Sequence, residues 1–194
     1  MQTLLFGTNN RDKLREIREV LHGRFTVLGL ADLGLDLDVE ETEDTLVGNA
    51  LLKARAYQAA AGMPCFADDS GLEVDALGGA PGVYSARWAG PGCSYADNVA
   101  RLLREMQGQS LRTARFRAVI AYTDGTTTRT FDGVVEGRII DAVRGAGGFG
   151  YDPVFVPEGY DQTFAEMNPG DKHAISHRGR AVRAFVQALQ ADFR

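Results

Sequence analysis

Ser176-His177-Arg178-Gly179-Arg180, with Lys172 just upstream, gathers an imidazole, two guanidinium groups and an ammonium at what reads as a helix start. A helix N-terminus already offers unpaired backbone N–H groups and a partial positive charge. So many donors together suit a ligand rich in oxygen acceptors, or else form an exposed basic helix end with Ser176 as its N-cap. Three other segments carry candidate chemistry. Thr8-Asn9-Asn10-Arg11-Asp12-Lys13 stands where a short apolar strand gives way to a helix, a position that collects phosphates in α/β sheets. It lacks the Gly-x4-Gly-Lys-Ser/Thr pattern of a P-loop, and an Asn-rich turn with Asp12 capping is its simpler account in isolation. The third segment is acidic. Glu40-Glu41-Thr42-Glu43-Asp44 precede a long helix, whose dipole explains Glu43 and Asp44, while Asp68-Asp69 follow a buried strand. Two adjacent carboxylates there repel each other unless a cation or a hydrogen-bond net joins them, which favours a metal ligand or general base over a solvated loop. Last comes Gly145-Ala146-Gly147-Gly148-Phe149-Gly150-Tyr151-Asp152-Pro153. Its glycines permit close approach of a ligand, and Phe149 and Tyr151 offer flat faces to a base; a Gly-rich turn with two core aromatics fits the same residues.

The elements that must position these groups follow from hydrophobic spacing. A buried strand is expected over 3–7, and Leu14, Ile17, Val20 and Leu21 predict a helix over 12–21. A second strand falls near 26–28. An Ala- and Leu-rich helix over 45–61 is stopped by Gly62 and Pro64. Residues 65–67 read as a short strand running into Asp68-Asp69-Ser70-Gly71, and 94–106 as a helix. Phe116, Ala118, Ile120 and Tyr122 alternate as a half-buried strand, Asp124-Gly125 marks a hairpin into 127–135, and another strand covers 137–142. A last helix spans 176–189. Helices interleaved with strands predict one α/β domain over 1–194 with a mixed sheet.

Composition narrows the class of function. The 194 residues are 44% hydrophobic, enough for a core that buries roughly 70% of the unfolded chain's surface. No apolar run is long enough to span a bilayer, and the start Met1-Gln2-Thr3-Leu4-Leu5-Phe6 lacks signal-peptide features, so a cytoplasmic protein off the membrane is expected. Cys65 and Cys93 make no metal pattern and are expected as reduced thiols. A formal charge of −5 argues against a nucleic-acid surface. Local basic clusters in an acidic chain point instead to a small anionic ligand.

Taken together, the segments resemble the inosine/xanthosine triphosphate pyrophosphatases, which clear non-standard purine nucleotides. The resemblance rests on Thr8-x-Asn10-x-x-Lys13-x-x-Glu16, Glu40-Glu41-Thr42, Asn49-Ala50-x-x-Lys53-Ala54, Asp68-Asp69-Ser70-Gly71-Leu72 and Gly78-Gly79-x-Pro81-Gly82-x-Tyr84-Ser85-x-Arg87. It continues through Gly147-Gly148-Phe149-Gly150-Tyr151-Asp152-Pro153 and from Ala165-Glu166-Met167 through Lys172 to Ile175-Ser176-His177-Arg178. These stretches keep the family's order over nearly the whole chain. One departs: the family has Glu before Asn49-Ala50, where this chain has Gly48.

The resemblance implies an elongated, two-lobed mixed α/β fold with a central cleft, assembled as a homodimer, and a nucleotide substrate. It implies that Thr8, Asn9, Asn10, Lys13 and Lys53 hold the triphosphate, with Ser70 beside it. Glu40 or Glu41 with Asp69 would bind Mg2+, Asp69 would activate water, and Asp68 would position. Phe149, Gly150, Tyr151 and Asp152 would frame the nucleoside, while Lys172, His177 and Arg178 would read the base. The reaction implied is attack of water at the α-phosphorus, releasing monophosphate and pyrophosphate. A magnesium-dependent sugar-phosphate phosphatase, a Maf-type pyrophosphatase and a non-catalytic nucleotide sensor are the competing readings.

Overall fold

The structure is a computed structural model that describes residues 2–192. Thr3–Phe6 form the first strand, β1, buried from Leu4 to Phe6. Helix α1 (Arg11–Leu21) follows, and its cap is Asn10 rather than Asp12. Asn10 keeps an extended backbone, and its Oδ1 accepts the amides of Asp12 and Lys13 at 3.0 and 3.1 Å. Strand β2 (Thr26–Gly29) pairs parallel with β1, Leu4 opposite Val27. Thr45 then caps α2 (Leu46–Ala61), its Oγ1 accepting the Gly48 amide at 3.0 Å. That helix leads to β3 (Cys65–Val74), parallel to β1 on its other side with Leu5 opposite Cys65.

Because β2 and β3 flank β1, right-handed crossovers place α1 and α2 on opposite faces of the sheet. The packing agrees. Leu4, Phe6 and Phe66 join Ile17 and Leu21 of α1 in one core cluster, while Leu5 and Cys65 join Tyr57 of α2 in another. The order of strands reverses at β1, so the crevice outside the carboxyl end of β1, where its pairing with β3 ends at Phe66, is where a ligand of such a sheet belongs.

The chain continues with α3 (Tyr95–Glu105), β4 (Thr113–Thr123), β5 (Thr128–Ile139) and β6 (Phe155–Pro157). It ends in α4 (Pro169–Ile175) and α5 (His177–Asp192). Among the described residues, six strands make one mixed sheet in the order β2-β1-β3-β4-β5-β6. Two compact units share the chain: one holds residues up to Asp69, Ala118–Asp132 and residues from Ala181, the other Ser70–Arg117 and Gly133–Arg180. The second unit has its own core, in which Phe116 packs edge-on against Phe155 at 4.7 Å beside Leu72, Leu102 and Phe164.

Three elements differ from expectation. Strand β3 does not stop at residue 67 but runs through Asp68 and Asp69 to Val74. Residues 127–142 do not make two strands with a break between them. The ladder passes through Gly137, because β6 pairs with Gly137–Ile139 and supplies the missing hydrogen bonds. Lys172 lies not before a helix but inside α4, whose seven residues are too few to show a helical period. Among the described residues, no helix is long and apolar enough to cross a membrane.

Candidate active site

In the first unit the two faces of β3 separate Asp68 from Asp69, since successive strand residues point opposite ways. Each carboxylate meets a lysine from a different helix. Lys13 of α1 donates from Nζ to Asp68 Oδ1 at 3.1 Å, where the Asp68 side chain is fully buried. On the other face, Asn49 and Lys53 stand one turn apart on α2 and so share a side of the helix. Asn49 Nδ2 donates to Asp69 Oδ2 at 3.3 Å, and Lys53 Nζ lies 3.6 Å from Asp69 Oδ1. The same Nζ donates to Glu41 Oε1 at 2.6 Å. The repulsion expected from adjacent carboxylates is therefore met by two ammonium groups.

These contacts set the protonation states. Burial pushes the Asp69 carboxyl above the usual carboxylate range, with Lys53 pulling it down and Glu41 adding to the rise. Burial by itself would depress Lys53, but Asp69, Asp68 and Glu41 outweigh it and hold the ammonium above its ordinary value. The result is a carboxylate of raised basicity beside a firmly charged lysine, the pairing that proton abstraction next to an anion requires.

The segment at the end of β1 is organised around the cap of α1. The Asn10 amide donates to Thr8 Oγ1 at 3.1 Å, so Thr8 and Asn10 close a turn at the helix start. Asn9 is exposed, and its Nδ2 donates to Leu37 O and Asp38 Oδ1 at 3.2 and 3.1 Å, tying this turn to the loop before α2. Glu40 is exposed, whereas Glu41 faces Lys53, so of the two it is Glu41 that the fold brings to Asp69.

Gly48 has a local cause. A Cβ built there would lie 2.7 Å from Glu43 Cβ, and the Glu43 amide donates to Asn49 Oδ1 at 3.0 Å. Glu43 thus fills the space above residue 48 and orients the asparagine that holds Asp69.

The second unit assembles the basic cluster and the Gly-rich segment. Lys172, His177 and Arg178 are 6%, 5% and 5% exposed, so this is no solvated basic helix end. Lys172 Nζ donates to Asp152 Oδ2 at 2.7 Å, and the Phe149 amide donates to the same oxygen at 2.9 Å. Gly148, with φ +68, is required here because any Cβ would collide with that Asp152 oxygen. Asp152 therefore fixes the loop that carries Phe149. Around the half-buried Phe149 ring stand Lys172 Nζ at 4.9 Å and Arg178 Cζ at 5.4 Å, with the Tyr95 ring at 5.9 Å. Arg178 also donates to Ser70 Oγ at 3.3 Å. The His177 ring stacks on Phe116 at 4.7 Å, and Ser176 caps α5 by accepting the Gly179 amide at 3.1 Å.

Tyr151 differs from expectation. Its ring is 4% exposed within the second core, and its hydroxyl donates to Ser85 O at 2.7 Å. It buttresses the Gly-rich loop from below and offers no open face, because an aromatic followed by Asp-Pro can pack inward as readily as outward. Gly150 sits beside it with φ +61 in the same loop. Asn49 and Tyr95 were assigned no role from sequence. Asn49 had one legible signal, its i, i+4 spacing to Lys53; Tyr95 had none.

A model of the Ham1 family matches residues 4–188. The chain is 53% identical to the dITP/XTP pyrophosphatase of Chlorobaculum tepidum over 96% of its length and 92% of that protein. It is 51% identical to that of Porphyromonas gingivalis, over 94% of each. Among solved structures, the Ham1 protein of Staphylococcus aureus matches with a TM-score of 0.89 at 38% identity, covering 98% of this chain and all of that one. The nucleoside-triphosphatase / dITP/XTP pyrophosphatase of Mycobacterium abscessus matches with a TM-score of 0.76 at 40% identity, over 95% and 98% of the two chains. The mixed α/β fold is that of these structures.

Proposed function

The chain belongs to the Ham1 family, and from that membership we propose that it hydrolyses non-standard purine nucleoside triphosphates, ITP, dITP and XTP, to the monophosphate and pyrophosphate. The observation that carries the reading is the grouping of Lys53 with Asp69 and Glu41 in the middle of β3, just past its pairing with β1. Asp69 accepts a proton from water as its oxygen attacks the α-phosphorus, and the bond from that phosphorus to the oxygen bridging to the β-phosphorus breaks. The electron pair leaves with pyrophosphate. Lys13 and Lys53 offset the charge that grows there, and Thr8, Asn10 and the amides opening α1 add donors. Asp68 holds Lys13 in place and does not itself touch the reacting atoms.

The donor set fits Mg2+. Glu41 and Asp69 are hard oxygen ligands drawn to one ammonium, and with substrate phosphates Mg2+ takes only one or two protein carboxylates. Among the described residues no three acidic, histidine or cysteine side chains form a group that could hold a metal alone, which suits an ion shared with substrate. Bound there, Mg2+ would supply charge neutralisation on the phosphates.

In the second unit, Phe149 and Asp152 take the nucleoside while Arg178, Lys172 and His177 read the base. Arg178 has only donors, so it pairs with the 6-carbonyl of hypoxanthine or xanthine and leaves the 6-amino group of adenine unmatched. A sugar-phosphate phosphatase or a plain phosphate sensor gives this buried cluster nothing to do. We assign the protein to the cytoplasm, where Cys65 and Cys93 remain as the free thiols they are here. We also assign it a homodimeric state. The outer side of α2 supports this, since Leu51, Leu52 and Ala56 line a groove edged by Glu43 and Arg55, opposite charges that a two-fold axis would pair.

The deciding experiment gives purified protein with Mg2+ a panel of ITP, XTP, dITP, GTP, ATP and modified pyrimidine triphosphates, and assays pyrophosphate and orthophosphate separately. Pyrophosphate from the inosine and xanthosine nucleotides, with little from ATP, is the expected result. Orthophosphate with a diphosphate product would place cleavage at the γ-phosphorus and overturn the mechanism.

A further inference from the structure

We infer that Tyr95 is a positioning residue for the base, acting through Phe149; the inference rests on the functional reading above and extends it to a residue that reading does not use. Asp152 fixes the backbone of the glycine-rich loop at Phe149, but residues Asp141–Gly148 ahead of it are exposed, so the pose of the Phe149 ring rests on the side chains around it. Tyr95 stands on firmer ground. It opens α3, whose start is fixed by a capping box in which the Asp97 amide donates to Ser94 Oγ and the Ser94 amide donates to Asp97 Oδ2. One turn later, buried Asn98 accepts the Ala89 amide at 2.7 Å and donates to Ala86 O at 3.1 Å, anchoring the same helix end to the preceding loop.

From this base the Tyr95 ring meets Phe149 with centroids 5.9 Å apart and planes tilted by 40°, within the range where aromatic pairs attract. Lys172 and Arg178 approach the same Phe149 ring. Phe149 is thus the shared neighbour of both base-reading cations, and among the described residues its aromatic support is Tyr95, a residue 41% exposed to water. An exposed tyrosine so placed holds Phe149 in the pose that a purine needs for stacking, so less ordering remains to be done when substrate binds. The ring does this work, not the hydroxyl.

The experiment compares Tyr95→Ala and Tyr95→Phe with the parent enzyme. Three quantities are read: KM and kcat for ITP, and the inhibition constant of inorganic pyrophosphate, which has no base. In Tyr95→Ala, KM should rise about three- to tenfold, the factor such an aromatic pair is worth, with kcat and pyrophosphate inhibition unchanged. Tyr95→Phe should restore the parent KM. An unchanged KM in Tyr95→Ala overturns the inference, as does a parallel weakening of pyrophosphate, which would mark general damage. A Tyr95→Phe variant as poor as Tyr95→Ala would show the hydroxyl to be the active part. Parent enzyme that cleaves neither ITP nor XTP sinks the functional reading first, and that outcome is visible before any variant is made.

Discussion

Asp68 and Asp69 are neighbours in sequence, yet the strand turns them to opposite faces and gives each its own lysine. Their chemistry diverges as a result. Asp68 is fully buried against Lys13, while Asp69 is held by burial above the ordinary carboxylate range and sits with Lys53, Glu41 and Asn49. Asp69→Asn keeps the size and removes both basicity and metal affinity, so kcat should fall roughly 10²-fold or more. Asp68→Asn should cost less, because its effect passes through Lys13. Steady-state kinetics across Mg2+ concentrations checks both, and parent-like turnover in Asp69→Asn would remove it from the mechanism. Arg178 supports a second test. Arg178→Ala should lower kcat/KM for ITP far more than for ATP and so shrink their ratio; a uniform loss with the ratio unchanged would make Arg178 a phosphate ligand. Residue types made most of these groups legible in the sequence, since buried charge is rare and donors cluster for a reason. Tyr151 was left open between a face for a base and a core aromatic, because a side chain's direction depends on packing partners far along the chain, here Ser85, which draws it into the core.

At the level of elements, helices α1, α2 and α3 were legible from their spacing to within a residue or two, whereas the seven-residue α4 was not. The extent of β3 was not. Its run Asp68-Asp69-Ser70-Gly71 carries the marks of a loop, and it remains a strand because two helices bring lysines to neutralise it, a fact no local window contains. Helix α1 offers a test of how closely element and site are joined. Asn10 caps the helix and closes the turn with Thr8, so Asn10→Ala should cost about 1 kcal/mol of stability, read as a lowered denaturation midpoint. Asn10→Asp preserves the cap oxygen and favours the helix dipole, so its stability should match or exceed the parent's. It also places a negative charge where the phosphates are proposed to bind, and KM for ITP should rise. A variant that gains stability while losing affinity separates the two duties of this residue. If Asn10→Asp binds ITP as the parent does, the start of α1 is not the phosphate site.

Across the whole molecule, the order of the motifs along the chain was legible, but two lobes were implied by the resemblance alone and not by hydrophobic spacing, because each unit is built from separated segments. Burial acts on both units alike, and its titration consequence is a fold that weakens in alkali. Burial pushes the Cys65 thiol in the first unit up to about 12, and it raises the phenols of Tyr57 there and of Tyr151 in the second unit above their ordinary value. All three are neutral when protonated, and the folded state keeps their protons. The unfolded chain releases the thiol proton near pH 9 and the phenol protons near pH 10. Above those values the unfolded state binds fewer protons than the native one, so stability falls with rising pH. For Cys65 the window runs from about 9 to about 12, and the loss over all of it is on the order of 4 kcal/mol. Urea denaturation midpoints measured from pH 8 to 11 should therefore decline steadily. Cys65→Ala leaves a small cavity and lowers the midpoint at pH 8, but it removes the thiol titration. Its decline between pH 9 and 10 should accordingly be shallower than the parent's, with the tyrosine contribution remaining at higher pH. Equal slopes for the two proteins between pH 9 and 10 would show that the Cys65 thiol does not govern alkaline stability, whatever its effect on packing at neutral pH.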